Sequence, residues 1–86
     1  MYILNFDKQV KKFIEKQDKT TKQRFKKAFQ DLSENPYPDN DLKKKKLTNQ
    51  NKFRLRIGKY RFIYEVFENK LIIYIEKADS RGAIYK

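Results

Sequence analysis

Three arginines, Arg54, Arg56 and Arg61, lie close together in the sequence on either side of a Gly58-Lys59 dipeptide. Guanidinium groups present paired donors to phosphate oxygens, so a cluster of them can bind a phosphate and stabilise negative charge that develops on it. The chain has neither histidine nor cysteine, which removes the usual general base and thiolate metal sites. Any catalysis must therefore use Arg, Lys, Tyr, Asp or Glu.

A β-hairpin would place these arginines on one face of a sheet. Apolar and charged residues alternate over residues 53–57 and again over 60–66, which is typical of two half-buried strands. Gly58 suits the first central position of a two-residue type II′ turn. The predicted cross-strand partners are Ile57 with Tyr60, Arg56 with Arg61, Leu55 with Phe62, Arg54 with Ile63, and Phe53 with Tyr64. Because like charges directly opposite on a sheet cost stability, the cluster indicates a bound anion; plain solvated arginines are the alternative.

The composition points to a polyanionic partner. The chain has 86 residues and a formal net charge of +11, which predicts one small domain that binds nucleic acid, an acidic protein or an anionic membrane. No apolar run approaches the roughly 20 residues of a membrane span, and no signal-peptide pattern opens the chain. We therefore expect a cytoplasmic protein that does not enter a membrane.

The N-terminal half predicts a strand followed by a helical hairpin. Residues 2–6 are mostly apolar and suit a short strand; Asp7 can cap a helix that runs to about Gln17, and Asp18 or Thr20 can start a second. Each helix carries one apolar stripe, formed by Val10, Phe13 and Ile14 in the first and by Phe25, Ala28, Phe29 and Leu32 in the second. These stripes are expected to cover the apolar face of the arginine hairpin.

Lysines precede and flank the hairpin. After a Pro- and Asn-rich segment that ends the second helix come four consecutive lysines, and two more lie beside the hairpin strands. A lysine run is either a solvated face or part of a basic strip that holds phosphate backbones, and the sequence favours neither. The candidate phosphate-binding residues are Lys43, Lys44, Lys45, Lys46, Lys52 and Lys59.

A last strand over residues 71–75 would complete the sheet. If Glu68-Asn69 is a two-residue turn, Val66 pairs with Leu71, and the same register sets Arg61 opposite Glu76. An exposed ion pair with Glu76 is then a second, weaker explanation for Arg61. The order strand, helix, helix, strand, strand, strand predicts one α+β domain over residues 1–86, with a mainly antiparallel four-stranded sheet, the helical hairpin on one face, and the arginines on the open face.

The order of elements and two motifs resemble the RelE branch of the RelE/ParE toxin superfamily, from type II toxin-antitoxin systems. The motifs are Phe-Arg-Leu-Arg-Ile-Gly-Lys-Tyr-Arg-Phe-Ile-Tyr at residues 53–64 and Ser-Arg-Gly-Ala-Ile-Tyr at residues 80–85. The resemblance implies a toxin that enters the ribosomal A site and cuts mRNA there, using no metal or other cofactor. It also implies a cognate antitoxin that wraps the toxin, and it makes the six lysines candidate RNA- and ribosome-binding residues.

The resemblance also implies a role for each catalytic candidate. Arg54 and Arg56 match two basic strand positions, the first stabilising the transition state and the second acting as general base. Arg61 matches the arginine that binds the scissile phosphate. Arg81 matches the general acid toward the leaving 5′ oxygen, and Tyr85 matches a tyrosine that orients or stacks on the nucleotide.

RNA chemistry agrees with this assignment, with one exception. The 2′-hydroxyl of RNA is a built-in nucleophile, so positioning and charge stabilisation suffice, and the product is a 2′,3′-cyclic phosphate. Arg56 is a poor base because its guanidinium stays protonated, so water or another group must accept the proton. Glu65 and Glu76 are the nearby carboxylates in the predicted register, and Glu76 is the better candidate. A ParE-like gyrase poison and a non-catalytic module that binds nucleic acid or antitoxin are the alternatives.

Overall fold

Two helices pack on one face of a five-stranded sheet. The computed structural model describes residues 1–38, 44–47 and 51–80. In chain order the elements are β1 (Ile3–Phe6), α1 (Lys8–Glu15), α2 (Lys19–Glu34), β2 (Lys44–Lys46), β3 (Lys52–Ile57), β4 (Tyr60–Phe67), a 3₁₀ turn (Glu68–Lys70) and β5 (Ile72–Ser80).

The sheet has the strand order β1-β5-β4-β3-β2, in which β1 is parallel to β5 and the other neighbours are antiparallel. The predicted α+β fold is confirmed, with five strands instead of four. The additional strand is β2, three residues of the lysine run, which pair with β3 at the edge of the sheet. Lysine alone does not favour a strand; the unpaired edge of β3 supplies the hydrogen bonds, and charged residues are well suited to an exposed sheet edge.

The first helix begins at its predicted cap, Asp7, and the second begins at Asp18, one of its two predicted caps. The Asp7 carboxylate accepts a hydrogen bond from the Gln9 N–H at 3.0 Å, and the Asp18 carboxylate accepts one from the Thr21 N–H at 2.8 Å. These bonds satisfy backbone donors that the first turn of a helix leaves unpaired. They fix where α1 and α2 start, and therefore which side chains face the sheet.

The core lies between the helices and the sheet, and it is largely aromatic. Phe62 of β4 makes edge contacts with Phe25 and Phe29 of α2, each with ring centroids 5.0 Å apart. Such edge-to-face pairs stabilise the core beyond their buried area. The predicted stripes are confirmed: Val10, Phe25, Phe29 and Leu32 are buried, and Phe13, Ile14 and Ala28 are partly buried against them.

The β3–β4 hairpin has the predicted register at every pair. Ile57 pairs with Tyr60, and Arg56 lies opposite Arg61. Gly58 has a φ of 60°, whereas Lys59 does not have a positive φ, which is the combination of a type II′ turn. A residue other than glycine would be strained at that φ.

The predicted pairing of β4 with β5 is wrong. Val66 pairs with Ile73 instead of Leu71, and a bulge at Ile63/Tyr64 shifts the register again, so that Arg61 lies opposite Asp79 and not Glu76. The connection is a 3₁₀ turn that ends at Leu71 in a left-handed conformation with a φ of 52°. It is longer than the two residues expected because Glu68 accepts hydrogen bonds from the Tyr2 and Tyr37 hydroxyls, which anchor the turn.

Candidate functional site

The open face of the sheet carries the three hairpin arginines. Arg54 and Arg61 are half-buried and Arg56 is exposed, and all three alternate with core residues on the same strands. Arg56 and Arg61 form a directly opposed pair next to the turn. With Gly58 and Lys59 they line a cavity of about 360 Å³. The cavity is large enough for a phosphate group and is lined by three cationic side chains.

The sheet restrains two of these side chains. The Nε atoms of Arg54 and Arg61 are buried, so the aliphatic stem and the Nε end of each guanidinium lie against the sheet. A restrained planar guanidinium loses less conformational freedom when it binds an anion than a lysine on a flexible stem. This arrangement suits an oriented contact with phosphate oxygens.

Asp79 is a carboxylate at the site that the sequence reasoning missed. It lies opposite Arg61 on β5, so that Arg56, Arg61 and Asp79 form one row across three strands. The Asp79 Oδ1 atom accepts a hydrogen bond from the Ser80 N–H at 2.8 Å, which orients the carboxylate. A sequence signal was present: the buried residues of β5 are Ile73, Ile75 and Ala78, and their spacing changes from two to three where a bulge interrupts the alternation.

The carboxylates predicted near Arg61 lie elsewhere on the open face. Lys52 pairs with Glu65 in the strand register, and the Lys52 Nζ atom lies 3.4 Å from the Glu76 Oε2 atom in a salt bridge. Glu76 was chosen as the proton acceptor because it was predicted to lie opposite Arg61. It does not lie there, so this argument for Glu76 no longer holds. The same salt bridge occupies Lys52 with an internal partner.

The structure divides the candidate lysines between the two faces. Lys45 lies opposite Arg54 and so belongs to the arginine face, and Lys59 is at the hairpin tip with its Nζ atom 5.4 Å from the Tyr60 ring centroid. Lys44 and Lys46 pair with the core residues Leu55 and Phe53, and the Lys44 Nζ atom donates to the Asn35 carbonyl at 2.7 Å. The open face therefore gains Lys45, and Lys59 lines the cavity beside Arg56 and Arg61 at the hairpin tip.

Three predicted site residues, Lys43, Arg81 and Tyr85, lie outside the described residues. The last described residue, Ser80, pairs with Tyr60 immediately beside Arg61.

The titratable groups with shifted pKa values lie outside the arginine cluster, in hydrogen bonds that connect separate segments of the fold. The Tyr74 hydroxyl, which donates to Asp7 at 2.5 Å, and the Gln9 N–H lower the pKa of the Asp7 carboxyl. Hydrogen bonds from Tyr37 and Tyr2 lower the pKa of Glu68, while burial and the neighbouring Glu68 raise the pKa of Tyr37. These groups connect the N-terminal segment to β5 and to the β4–β5 turn.

Other kinds of site are not found in the described part of the chain. Residues 1–38, 44–47 and 51–80 contain no group of three or more His, Cys, Asp or Glu side chains arranged to hold a metal ion. No helix within the same ranges is both long and apolar enough to cross a membrane.

Comparison with known proteins identifies the family. Residues 4–84 match the family described as the ParE toxin of the type II toxin-antitoxin system parDE. Archaeal RelE in the RelE-RelB complex of Pyrococcus horikoshii OT3 is 30% identical, with a TM-score of 0.76 over 95% of this chain and 97% of that chain. No curated protein sequence matches the chain.

More distant solved structures share the fold. The isolated Escherichia coli RelE toxin is 21% identical, with a TM-score of 0.79 over 99% of this chain and 92% of that one. The toxin-antitoxin complex RelBE2 of Mycobacterium tuberculosis is 24% identical, with a TM-score of 0.75 over 93% of this chain and 98% of that one.

The chain therefore belongs to the RelE/ParE superfamily and is a toxin of a type II toxin-antitoxin system. Its similarity to archaeal RelE assigns it to the RelE branch of that superfamily.

Proposed function

We propose that this toxin is a ribosome-dependent, metal-independent mRNA endonuclease that cuts in the A site and so inhibits translation. The observation that carries the proposal is the opposed pair Arg56 and Arg61, which lines a 360 Å³ cavity on the open face beside Arg54. Two guanidinium groups that are directly opposed on neighbouring strands can donate to the oxygens of one anion. A scissile phosphate is such an anion.

In the proposed reaction the 2′-oxygen of the nucleotide attacks the adjacent phosphorus. The new O–P bond forms as the bond to the 5′ oxygen breaks, which leaves a 2′,3′-cyclic phosphate and a free 5′-hydroxyl. Arg61 binds the phosphate, and Arg54 and Arg56 stabilise the charge of the transition state. Arg81 donates a proton to the leaving oxygen, and Tyr85 stacks on the nucleotide base.

Asp79 accepts the proton of the 2′-hydroxyl in this scheme. Arg56 cannot take that role because its guanidinium stays protonated at ordinary pH. Asp79 occupies the register position next to Arg61 that Glu76 was predicted to occupy, and its carboxylate is oriented by the Ser80 N–H. Carboxylates are competent general bases when they reach the proton directly or through one water.

The proposed partners are mRNA, the ribosome and a cognate antitoxin in the cytoplasm. Lys45 and Lys59 extend the positive surface on which RNA phosphates would lie. An antitoxin is supported by the solved complexes of archaeal RelE with RelB and of the mycobacterial RelBE2 pair. An acidic antitoxin segment would compete with RNA for the same cations.

The test is cleavage of an mRNA programmed into the A site of purified ribosomes, with free RNA alongside. We expect the wild type to cut only the ribosome-bound message, Arg81→Ala to lose cutting, and Lys26→Ala to retain it. Lys26 is an exposed cation on α2, on the helix side of the molecule, and so controls for net charge. Cutting of free RNA at the same rate would contradict ribosome dependence.

The second candidate is a gyrase poison, favoured by the match of residues 4–84 to the ParE toxin family. This activity uses the same fold without cutting RNA. If no RNA is cut in either arm, gyrase-dependent DNA breaks are the next measurement. Absence of both, with RNA binding that weakens steeply as salt rises, would indicate a non-catalytic binding module.

A further inference from the structure

The β3–β4 hairpin tip has cations on two sides, and the proposed reaction uses only one of them. On the helix side, Arg24, Lys27, Ala28 and Asp31 form one stripe of α2 that faces the tip. With Ile57 and Gly58 they line a second cavity of about 310 Å³. This cavity is separate from the one between Arg56 and Arg61, and Gly58 is the residue that lines both.

Gly58 has a packing role in addition to its turn conformation. A Cβ atom at Gly58 would lie 2.7 Å from an Nη atom of Arg24, so the guanidinium rests where any other residue would have a side chain. The missing side chain therefore lets Arg24 contact the turn. The Arg24 guanidinium therefore lies at the boundary between the two cavities, both of which are lined by cations.

The second cavity carries an excess of positive charge, with two cations and one carboxylate in its lining. Among residues 1–38, 44–47 and 51–80, neither Arg24 nor Lys27 takes part in an ion pair or a side-chain hydrogen bond. Asp31 lines the same cavity four residues from Lys27, at a spacing that places the two side chains next to each other, but it is seven residues from Arg24, which is about 10 Å along a helix axis. Ala28 and Ile57 supply an apolar floor that offers no competing acceptor.

We propose that Arg24 and Lys27 form a second phosphate subsite, which binds the phosphate next to the scissile one in a single RNA strand. The strand crosses the hairpin at Gly58, where the Arg24 guanidinium lies over the turn and can contact it. Arg24 supplies a paired donor to phosphate oxygens, and Lys27 adds a point charge. The inference rests on the proposed RNA-cutting function, since it takes Arg56 and Arg61 as the first subsite.

Salt-dependent binding of non-cleavable RNA tests the subsite. Oligonucleotides with 2′-O-methyl groups and one to five phosphates are titrated against the wild type, Arg24→Gln, Arg24→Lys and Lys26→Gln at several salt concentrations. Each phosphate contact on a single strand contributes about 0.7 to the slope of log K against log salt. We expect Arg24→Gln to lower the slope by about 0.7 for the long oligonucleotides and to leave the single-phosphate ligand unaffected.

The control variants separate a built subsite from diffuse charge. Lys26→Gln removes the same charge from α2 on another helix face and should leave the slope unchanged, while Arg24→Lys should largely retain it. Equal losses in Arg24→Gln and Lys26→Gln, no loss in Arg24→Gln, or a loss already seen with one phosphate would each overturn the proposal.

Assaying A-site cleavage with the same protein preparations separates failure of the second phosphate subsite from failure of the RNA-cutting function. A wild type that cuts mRNA while Arg24→Gln and Lys26→Gln bind alike refutes the subsite alone. A wild type that neither cuts nor binds these oligonucleotides refutes the RNA-cutting function and the subsite together. Melting curves of all four proteins ensure that the compared chains are folded.

Discussion

The two faces of the sheet perform opposite tasks with alternate residues of the same strands. On the covered face, Phe62 packs between two phenylalanines of α2 at 5.0 Å; on the open face, its neighbour Arg61 lies between Arg56 and Asp79. Because side chains alternate along a strand, a substitution at one position tests one face only. We therefore expect mutations on the covered face to change mainly stability and mutations on the open face to change mainly activity.

Apolar burial on the covered face offsets the electrostatic repulsion between arginines on the open face. Cross-strand repulsion between Arg56 and Arg61 costs a fraction of a kcal/mol, about 0.2–1 kcal/mol for a typical pair. Burial of a single phenylalanine side chain contributes about 1.5–3 kcal/mol. The aromatic core therefore outweighs the arginine cluster, which can be kept for binding.

The largest expected effect is on the covered face. Phe29→Ala removes a ring that is 5% exposed and contacts Phe6, Phe25 and Phe62. We expect a loss of about 3–5 kcal/mol in the free energy of unfolding, since the deletion leaves a cavity in a packed core. Chemical denaturation measures it, with the exposed neighbour Gln30→Ala as a control expected to stay within about 0.5 kcal/mol. An unchanged denaturation curve for Phe29→Ala would contradict the placement of Phe29 in the core.

The next largest effect is on the open face. Arg61→Ala should slow A-site cleavage about 10²–10³-fold, because a preorganised donor to the developing charge is lost. Its melting curve should stay close to that of the wild type, since the arginine lies outside the core. Single-turnover cleavage measures the effect, with Lys26→Ala as the charge-matched control. Full toxicity of both Arg61→Ala and Arg81→Ala would refute the assignment of the site.

The part of the fold that depends on local pattern could be predicted from the sequence. The caps Asp7 and Asp18, the apolar stripes of the helices and the β3–β4 register follow from residue type and spacing within short segments. The type II′ turn fixed that register because only two residues, Gly58 and Lys59, separate the strands. Predictions from residue type and spacing therefore agree with the structure within a single helix and across the two-residue turn.

The remaining features depend on contacts between distant segments. The β4–β5 register shifted because Tyr2 and Tyr37, far from the turn in sequence, hold Glu68. The strand Lys44–Lys46 exists because β3 has an edge to pair with, not because lysines favour strands. The β4–β5 register shift and the bulge at Ile63/Tyr64 together determined which carboxylate lies opposite Arg61, so the sequence indicated the arginines of the candidate site but not Asp79.

A smaller effect tests Asp79 as the proton acceptor on the open face. Asp79→Asn retains an Oδ1 atom for the Ser80 N–H but cannot accept a proton, so cleavage should fall by about 10²-fold. Glu76→Gln is the matched control and should retain the wild-type rate. A loss of rate in Glu76→Gln instead would transfer the role to Glu76.

The smallest expected change in stability comes from the hydrogen bond between Tyr74 of β5 and Asp7, which precedes α1. The Tyr74 hydroxyl and the Gln9 N–H lower the pKa of Asp7, the cap of α1. A carboxylate with a lowered pKa in the folded state stabilises the protein above its unfolded pKa of about 3.9, and this stabilisation is lost as the pH falls through the lowered value.

Tyr74→Phe should therefore raise the pKa of Asp7 and reduce stability most at neutral pH, with the difference from the wild type shrinking in acid. Carboxyl titration by NMR and denaturation between pH 7 and 2 measure both changes, and an unshifted Asp7 pKa in Tyr74→Phe would refute the contact. Cleavage at neutral pH should remain, because this bond stabilises the scaffold and lies outside the row formed by Arg56, Arg61 and Asp79.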